Sequence, residues 1–550
     1  MKQGILFILL LCTTLLNAQV KDVKAWQEID RLIEKEHYTS AYAQSERLLN
    51  EAKCKGDGQA MLLAAIRMGE AAEGYQEEPL STTLKVYQEI IPLLQGADKG
   101  VAYLLLGNLL DCYYGFNHYR SDTGYPLPIM DTLLTTTLDG VELWTKDCFV
   151  HAKHLCYEAA LAESEAMKKV CADDYAPLVK GDAESLRLRP TLYDVVMHML
   201  IDEISSNEDA MMYVGSLNRE QLFGTADEFI SLELSDFISP YAKWLLGKLQ
   251  DYTRYHLNTT DAAVRAHVDS RRFMALKKYT YAHTDYQKGL ERLVQCYEGH
   301  PAEESMFLYH LAVALSPDIR EYSNEETVKE GLLQAAKMEE CIERIREIAP
   351  SSKWKQLGEE LYKQVTLPYL SLPSQQTVLP GNAFDVTLTV RNAGSLSYRI
   401  VPRYAGETPN DCDRDELMRR SSIGAHRTKI EHLYDNPYQY YNIPIHLPLL
   451  EAGDYFLVVT NEGKDQDSRC FSVTALSVSN LKLSLLRNEG KGTYIGMAID
   501  ATTGRAITKY EVALMETVNG KTHLIETFIP DAKGYFTMSC PVGKHRKLLI

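Results

Sequence analysis

The stretch YKQVTLPYLSLPSQQTVLPG, residues 362–381, decides the fold, because the hydrophobic period changes across it. Upstream, apolar residues recur at helical spacing. Downstream, Phe384, Val386, Leu388 and Val390 alternate with Asp385, Thr387, Thr389 and Arg391, the period of a half-buried strand. Pro368, Pro373 and Pro380 deny the stretch both helix continuation and a central place in a sheet. The chain therefore reads as an all-α array over residues 19–365, a first β module over 366–478 and a smaller second one over 479–550.

A 550-residue chain that is 45% hydrophobic and 24% charged can bury several cores, at roughly 100–200 residues per domain. Its formal charge of -17 argues against a nucleic-acid partner, which calls for concentrated Lys and Arg. Lys2, the apolar run Ile5 to Leu16 and Ala18 read as a signal peptide over residues 1–18, so the mature chain starts at Gln19 and is exported, to the periplasm or cell envelope or beyond. No later run is long and apolar enough for a membrane helix. Cys12 falls inside the signal, and no C-x-x-C occurs among the other cysteines. Cys148 and Cys156 stand eight apart on one expected helix, about 12 Å along its axis and too far to pair. Cys412 and Cys470, in one β module, are the better candidates for a disulfide.

The helical part opens on a hairpin. Trp26, Ile29, Leu32 and Ile33 share one face, and after a break at Glu36-His37 so do Ala41, Ser45, Leu48, Leu49 and Ala52. This aromatic-then-small pattern is similar to a tetratricopeptide repeat, although later helices do not keep its register. Residues 119–140, with Gly124, Pro126 and Pro128, read as a long loop and a sub-boundary within the array. A helix is expected from Val141 to Met167. His151 and His154 lie on it at i and i+3, but without a nearby carboxylate pair the surface or core reading outweighs the metal one. Further helical faces follow, the last carrying Val328, Leu332, Ala335, Ile342 and Ile345.

The block Arg189-Pro190-Thr191-Leu192-Tyr193-Asp194, followed by His198 and Asp202, is the sharpest local signature, with Pro190 suited to a first helical turn. In the first β module, strands are expected at Phe384 to Arg391, Ser397 to Arg403, Tyr440 to Leu447, Gly453 to Thr460 and Ser468 to Thr474. The polar insertion Tyr404 to Pro437 holds Arg419, Arg420, His426, Arg427 and Lys429, a candidate contact surface against which a solvated loop is the blander reading. Tyr434, Tyr438, Tyr440 and Tyr441 are candidates for stacking on sugar rings or, more commonly, for packing beside an edge strand. In the second module, Asp500 to Ile507 and Asp531 to Phe536 read as tight turns leading into strands, with Asp and Gly supplying side-chain acceptors and positive φ.

The Trp-containing hairpin, the Arg189–Asp194 block and the shift into β modules together resemble the N-terminal region of bacterial α2-macroglobulin family proteins of the Bacteroidetes type. The resemblance implies antiparallel β-sandwich macroglobulin or immunoglobulin-like modules after the helices, and a protein that traps proteases in the cell envelope. It implies no enzyme activity, cofactor or metal. Nor do H-E-x-x-H, G-x-S-x-G, a phosphate loop or G-x-G-x-x-G occur. The family's Cys-x-Glu-Gln thioester is also missing; Cys341-Ile342-Glu343-Arg344 comes nearest and has Arg in place of Gln. Bait segment and any thioester are expected beyond Ile550, with the second β module cut short. The alternative is an exported binding protein whose helical layer holds a peptide or glycan.

Overall fold

The computed structural model describes residues 23–117, 141, 144–175, 178, 182–206, 217–234, 238, 240–277, 283–320, 323–373, 375–404, 407–423, 428–430, 436–462, 471–488, 493–518, 521–539 and 546–549. The signal segment, the 119–140 loop, His426, Arg427, Tyr434 and Cys470 lie outside them. The chain divides into two compact units, Met1–Phe307 and Leu308–Ile550.

The first unit is helical: α1 (Val23–Glu34), α2 (Tyr38–Lys55), α3 (Gly58–Glu73), α4 (Pro79–Ile90), α5 (Gly96–Asn117), α6 (Lys146–Ala162), α7 (Leu192–Ser206), α8 (Pro240–His256), α9 (Ala262–Lys277) and α10 (His283–Cys296), with shorter turns between them. Trp26, Ile29 and Leu32 of α1 are buried, and α2 buries Ala41, Ser45, Leu48, Leu49 and Ala52, the face that the sequence periodicity marks. Gly56 at φ 65° closes α2 in the left-handed conformation, and Asp57 caps α3 by accepting the Ala60 amide. A Cβ on Gly74 would stand 2.2 Å from the Tyr38 ring, so the end of α3 can approach the start of α2 only without a side chain there. α6 starts at Lys146 instead of Val141, because the Thr145 hydroxyl accepts the Cys148 amide and sets the N-cap there.

Glu73, at the end of α3, is half-buried, and burial together with the charge of Glu70 pushes its carboxyl up to about 7. A raised carboxyl favours the protonated folded state, so its contribution is full below the unfolded value near 4.5 and is lost as pH rises through about 7. Screening by solvent reduces the effect to about 1 kcal/mol. Glu73→Gln is therefore expected to stabilise the protein at pH 8 and to change nothing at pH 4. Urea denaturation at the two pH values checks this, and equal effects at both would remove the assignment.

The second unit begins inside α11 (Pro301–Ala314) and continues through α12 (Glu325–Ile348) and α13 (Lys353–Thr366) before any strand appears. The change of secondary structure falls where the period changes, between Thr366 and Tyr369, whereas the compact units part some sixty residues earlier. On α12 the buried face runs through Gly331, Ala335, Met338, Ile342 and Ile345. Leu332, expected on that face, is 40% exposed, because Gly331 turns inward instead and receives Ile319.

Two short strands occupy the proline-rich junction, β1 (Tyr369–Ser371) and β2 (Gln375–Val378). They are followed by β3 (Phe384–Arg391), β4 (Ser395–Pro402), β5 (Thr428–Ile430), β6 (Tyr441–Leu447), β7 (Gly453–Glu462) and β8 (Phe471–Val478). One sheet has the order β1-β3-β6 and the other β2-β8-β7-β4-β5. Their inward residues, among them Val386, Leu388, Ile443, Ile445, Leu457 and Val459, form a single core. The larger sheet is mixed and not purely antiparallel, since β2 joins β8 in parallel and thereby brings the junction into the sheet as an edge.

The outer face of β7 carries Phe456 and Val458, and the helix Arg414–Arg419 of the insertion covers them with Leu417. This helix of the insertion is thus a packed cover, and the near-continuous apolar run of β7 is explained by burial on both faces. The second module has β9 (Leu481–Asn488), β10 (Thr493–Asp500), β11 (Val512–Val518), β12 (Lys521–Phe528), β13 (Tyr535–Ser539) and β14 (Arg546–Leu549) in two sheets, β13-β10-β9 and β12-β11-β14. Phe536, Met538, Val512, Leu514 and Phe528 join the two sheets in one small core.

Candidate functional site

The Arg189–Asp194 block is fastened to the preceding chain before its helix begins. Ala172 N donates to Pro190 O and Leu192 N to Val170 O, with an isolated antiparallel bridge between Cys171 and Thr191. Thr191, not Pro190, opens α7: its hydroxyl accepts the Asp194 amide at 3.3 Å, while its own amide and hydroxyl donate to Asp194 Oδ2 at 2.8 and 2.7 Å. This is a capping box closed by aspartate in the place usually held by glutamate.

Asp194 is fully buried, and its second oxygen leaves the block altogether. Oδ1 accepts from Tyr252 Oη at 3.1 Å and from His256 Nε2 at 2.5 Å, both on α8. His256 Nδ1 in turn lies 3.2 Å from Thr259 Oγ1. The hydroxyl–imidazole–carboxylate order resembles a nucleophilic relay. Thr259, however, belongs to the turn ending α8, its amide donates to His256 O, and both Asp194 oxygens are fully subscribed. The arrangement clamps the start of α7 to the end of α8. Burial and the Asp194 carboxylate hold the Tyr252 phenol far above its usual range, so it remains a donor.

Two turns into α7, His198 is buried and stacked on His267 at 4.6 Å. Burial first, then His267 and Arg271, push its pKa far down and keep the imidazole neutral. Arg271 donates to His198 O and to Asp202. A second buried network lies between α9 and α10: Arg272 donates to Asp269 Oδ1 at 2.8 Å and to Gly224 O at 3.0 Å, with Phe229 and Phe273 rings each 4.8 Å from its guanidinium. Tyr297 Oη donates to Asp269 Oδ2 at 2.9 Å. Between the networks is a cavity of about 300 Å³, lined among others by His256, Asp269, Cys296 and Tyr297. The sequence gives no warning of either network, since their partners stand 62 and 28 residues apart.

Tyr193 connects the block to an open groove. Its ring meets the edges of Tyr252 and Tyr255 at 5.7 and 5.5 Å, and the Lys168 ammonium sits 5.0 Å from its centroid. The groove, about 360 Å³, lies between the end of α6, the first turn of α7 and one face of α8.

The other sequence candidates are in the second unit, and those whose side chains are described do not converge on a site. Arg420 binds both oxygens of Glu407 at 2.8 and 2.6 Å, Glu416 at 2.6 Å and Pro402 O, and lies over the Tyr404 ring, so it straps the insertion down. Arg419 bonds back to Asp415 O, and Lys429 is placed on β5 opposite Ser397. Tyr438 is buried and donates to Glu339 of α12. Tyr440 N donates to Ile319 O, and its ring lies between the guanidinium groups of Arg391 and Arg320. Tyr441 begins β6, at the edge of its sheet. Arg391 also donates to Gln364 O and Leu367 O, so these tyrosines serve to seat α12 and α13 against the first β module.

Among the described residues no three His, Cys, Asp or Glu side chains converge on a metal position, and no helix is long and apolar enough to cross a membrane. No protein-family model and no curated protein matches the chain. Solved structures similar to it include two fragments of native alpha-2-macroglobulin from Escherichia coli. One spans domains NIE–MG1 and is 16% identical, covering 33% of this chain and 96% of that one at a TM-score of 0.25. The other spans MG0–NIE–MG1 and is 17% identical, covering 33% of this chain and 63% of that one at a TM-score of 0.24.

Proposed function

We propose that the chain is the N-terminal scaffold and interaction region of an exported α2-macroglobulin-like protein of the Bacteroidetes type, without catalytic activity, serving endopeptidase trapping in the periplasm or cell envelope. On this reading residues 19–365 are a tetratricopeptide-like helical array, 366–478 a first macroglobulin-like β-sandwich and 479–550 a second β module. The observation that carries it is the way the β modules are joined. β8 ends at Val478 and β9 begins at Leu481, and the two residues between are held from both sides. Ser479 N donates to Val378 O in the first module, while Asn480 accepts from Ala501 N and donates through Nδ2 to Asp500 in the second. A junction without slack passes a displacement of one module to the next, which a trap that closes by rearranging stacked modules requires.

The polypeptide as secreted by its native host, incubated with trypsin, should lower cleavage of a large protein substrate while leaving hydrolysis of a small chromogenic peptide intact. Unchanged cleavage of both substrates would overturn the proposal. A second reading, an exported binding protein for peptides, is favoured by the groove beside Tyr193. Tyr438 and Tyr440, committed to contacts within the chain, lend no support to its glycan form.

A further inference from the structure

The groove between α6, α7 and α8 contains three cations and two carboxylates, and most of these cancel in pairs. Lys168 Nζ donates to Glu165 at 2.6 Å, and Arg254 to Asp251 at 2.8 Å, each within one helical turn. Lys248, a half-buried residue, is left with no carboxylate partner among the described residues. Tyr193 lines the same groove and is only 2% exposed as a residue; its hydroxyl makes no hydrogen bond among the described residues and is open to solvent. The groove therefore offers two uncommitted donors, one charged and one neutral, beside the rings of Tyr193 and Tyr255.

We propose that this groove is a binding site for the carboxylate of a peptide, held by the Lys248 ammonium and the Tyr193 hydroxyl. Two donors suit the two oxygens of a monoanion, whereas a phosphate dianion needs more cationic charge than the groove has uncommitted. Its volume, at the low end for ligand pockets, suits one or two residues of a peptide and not an extended chain. Position supports the same conclusion: the phenol is set by the first turn of α7, which the Asp194 clamp fixes to α8, the helix that also carries Lys248. The donors are thus held on packed helices before a ligand arrives. The inference does not depend on the macroglobulin reading.

The carboxylate could come from an acidic side chain or from a chain terminus, and three short probes separate these. They are acetyl-Gly-Gly-Glu-Gly-Gly-amide, acetyl-pentaglycine with a free C-terminus, and acetyl-Gly-Gly-Gln-Gly-Gly-amide as the neutral control. Saturation-transfer NMR on the whole chain should give signal for the first or the second and none for the third. Lys248→Met and Tyr193→Phe should each weaken binding about tenfold, the loss expected for a charge-assisted contact and for the loss of the donor that pairs with it. Each variant is compared with the parent by thermal melting, and Lys243→Met, on the exposed side of α8, serves as a control expected to bind normally. Signal for the glutamate probe alone assigns a side chain, for the free terminus alone a chain end, and for both any accessible carboxylate. Equal signal from the glutamine control, no signal from any probe, or binding unchanged in folded Lys248→Met would overturn the proposal.

Discussion

Asp194→Ala is expected to destabilise the helical unit by about 3–5 kcal/mol, the range found when one partner of a buried charged network is removed. The carboxylate accepts from Thr191 N, Thr191 Oγ1, Tyr252 Oη and His256 Nε2, and alanine strands all four donors. Tyr252 is 1% and His256 4% exposed, so water cannot replace the lost acceptor without opening the packing of α7 on α8. Two milder variants calibrate the effect. Thr191→Ala removes an N-cap and should cost about 1 kcal/mol. Asp194→Asn keeps the shape but replaces one acceptor oxygen by an NH2 donor that faces other donors, and should fall between the two. Urea denaturation followed by far-UV circular dichroism gives the order. If Asp194→Ala costs no more than Thr191→Ala, the carboxylate is only a local cap and the link to α8 contributes nothing.

What the sequence revealed was local. The alternation Phe384 to Arg391 became β3, the Ala41–Ala52 face was buried, and the turn chemistry was legible residue by residue. Asp500 accepts the amides of Thr502 and Thr503 with Gly504 at φ 70°, and Asp531 accepts those of Lys533 and Tyr535 with Gly534 at φ 85°. Asn392, in the Asn-Ala-Gly turn between β3 and β4, takes φ 45°. Such features depend on side chains that reach no more than a few residues along the chain. The strands in the proline-rich junction were not legible, because β2 is made by its parallel partner β8, about a hundred residues away.

The candidate site was half legible for the same reason. Arg189–Asp194 announces a helix start, and the Thr191–Asp194 box is an i, i+3 signal. Nothing in it says that the other carboxylate oxygen belongs to residues 58 and 62 positions later. In the arginine cluster of the insertion it is the partner of a cation that the sequence leaves open. Arg420 has the composition of a contact surface, but Glu407 and Glu416 claim it, and charge patterning cannot distinguish a cation offered to solvent from one already paired across a fold.

Arg272→Met is expected to have an effect of similar size, again about 3–5 kcal/mol, by a different route. Asp269 and Arg272 look like an ordinary exposed i, i+3 pair on α9, worth a few tenths of a kcal/mol. The fold buries them: the arginine side chain is 1% and the aspartate 9% exposed. Methionine would fill much of the space between Phe229 and Phe273, so packing loss is the smaller part. The larger part is that Asp269 keeps Tyr297 but loses its counterion, in a site where an unpaired carboxylate is strongly disfavoured. In the variant that carboxylate should take up a proton as pH falls, since burial favours its neutral form. The deficit should therefore be larger at pH 8 than at pH 5, a pH dependence that lost packing alone would not produce. Adding Asp269→Asn to Arg272→Met removes the stranded charge and should recover about 2 kcal/mol of the loss at pH 8. Should the double variant be no more stable than Arg272→Met at pH 8, the arginine acts through its stacking between the two phenylalanines, and the Asp269 contact is incidental to the stability of the unit.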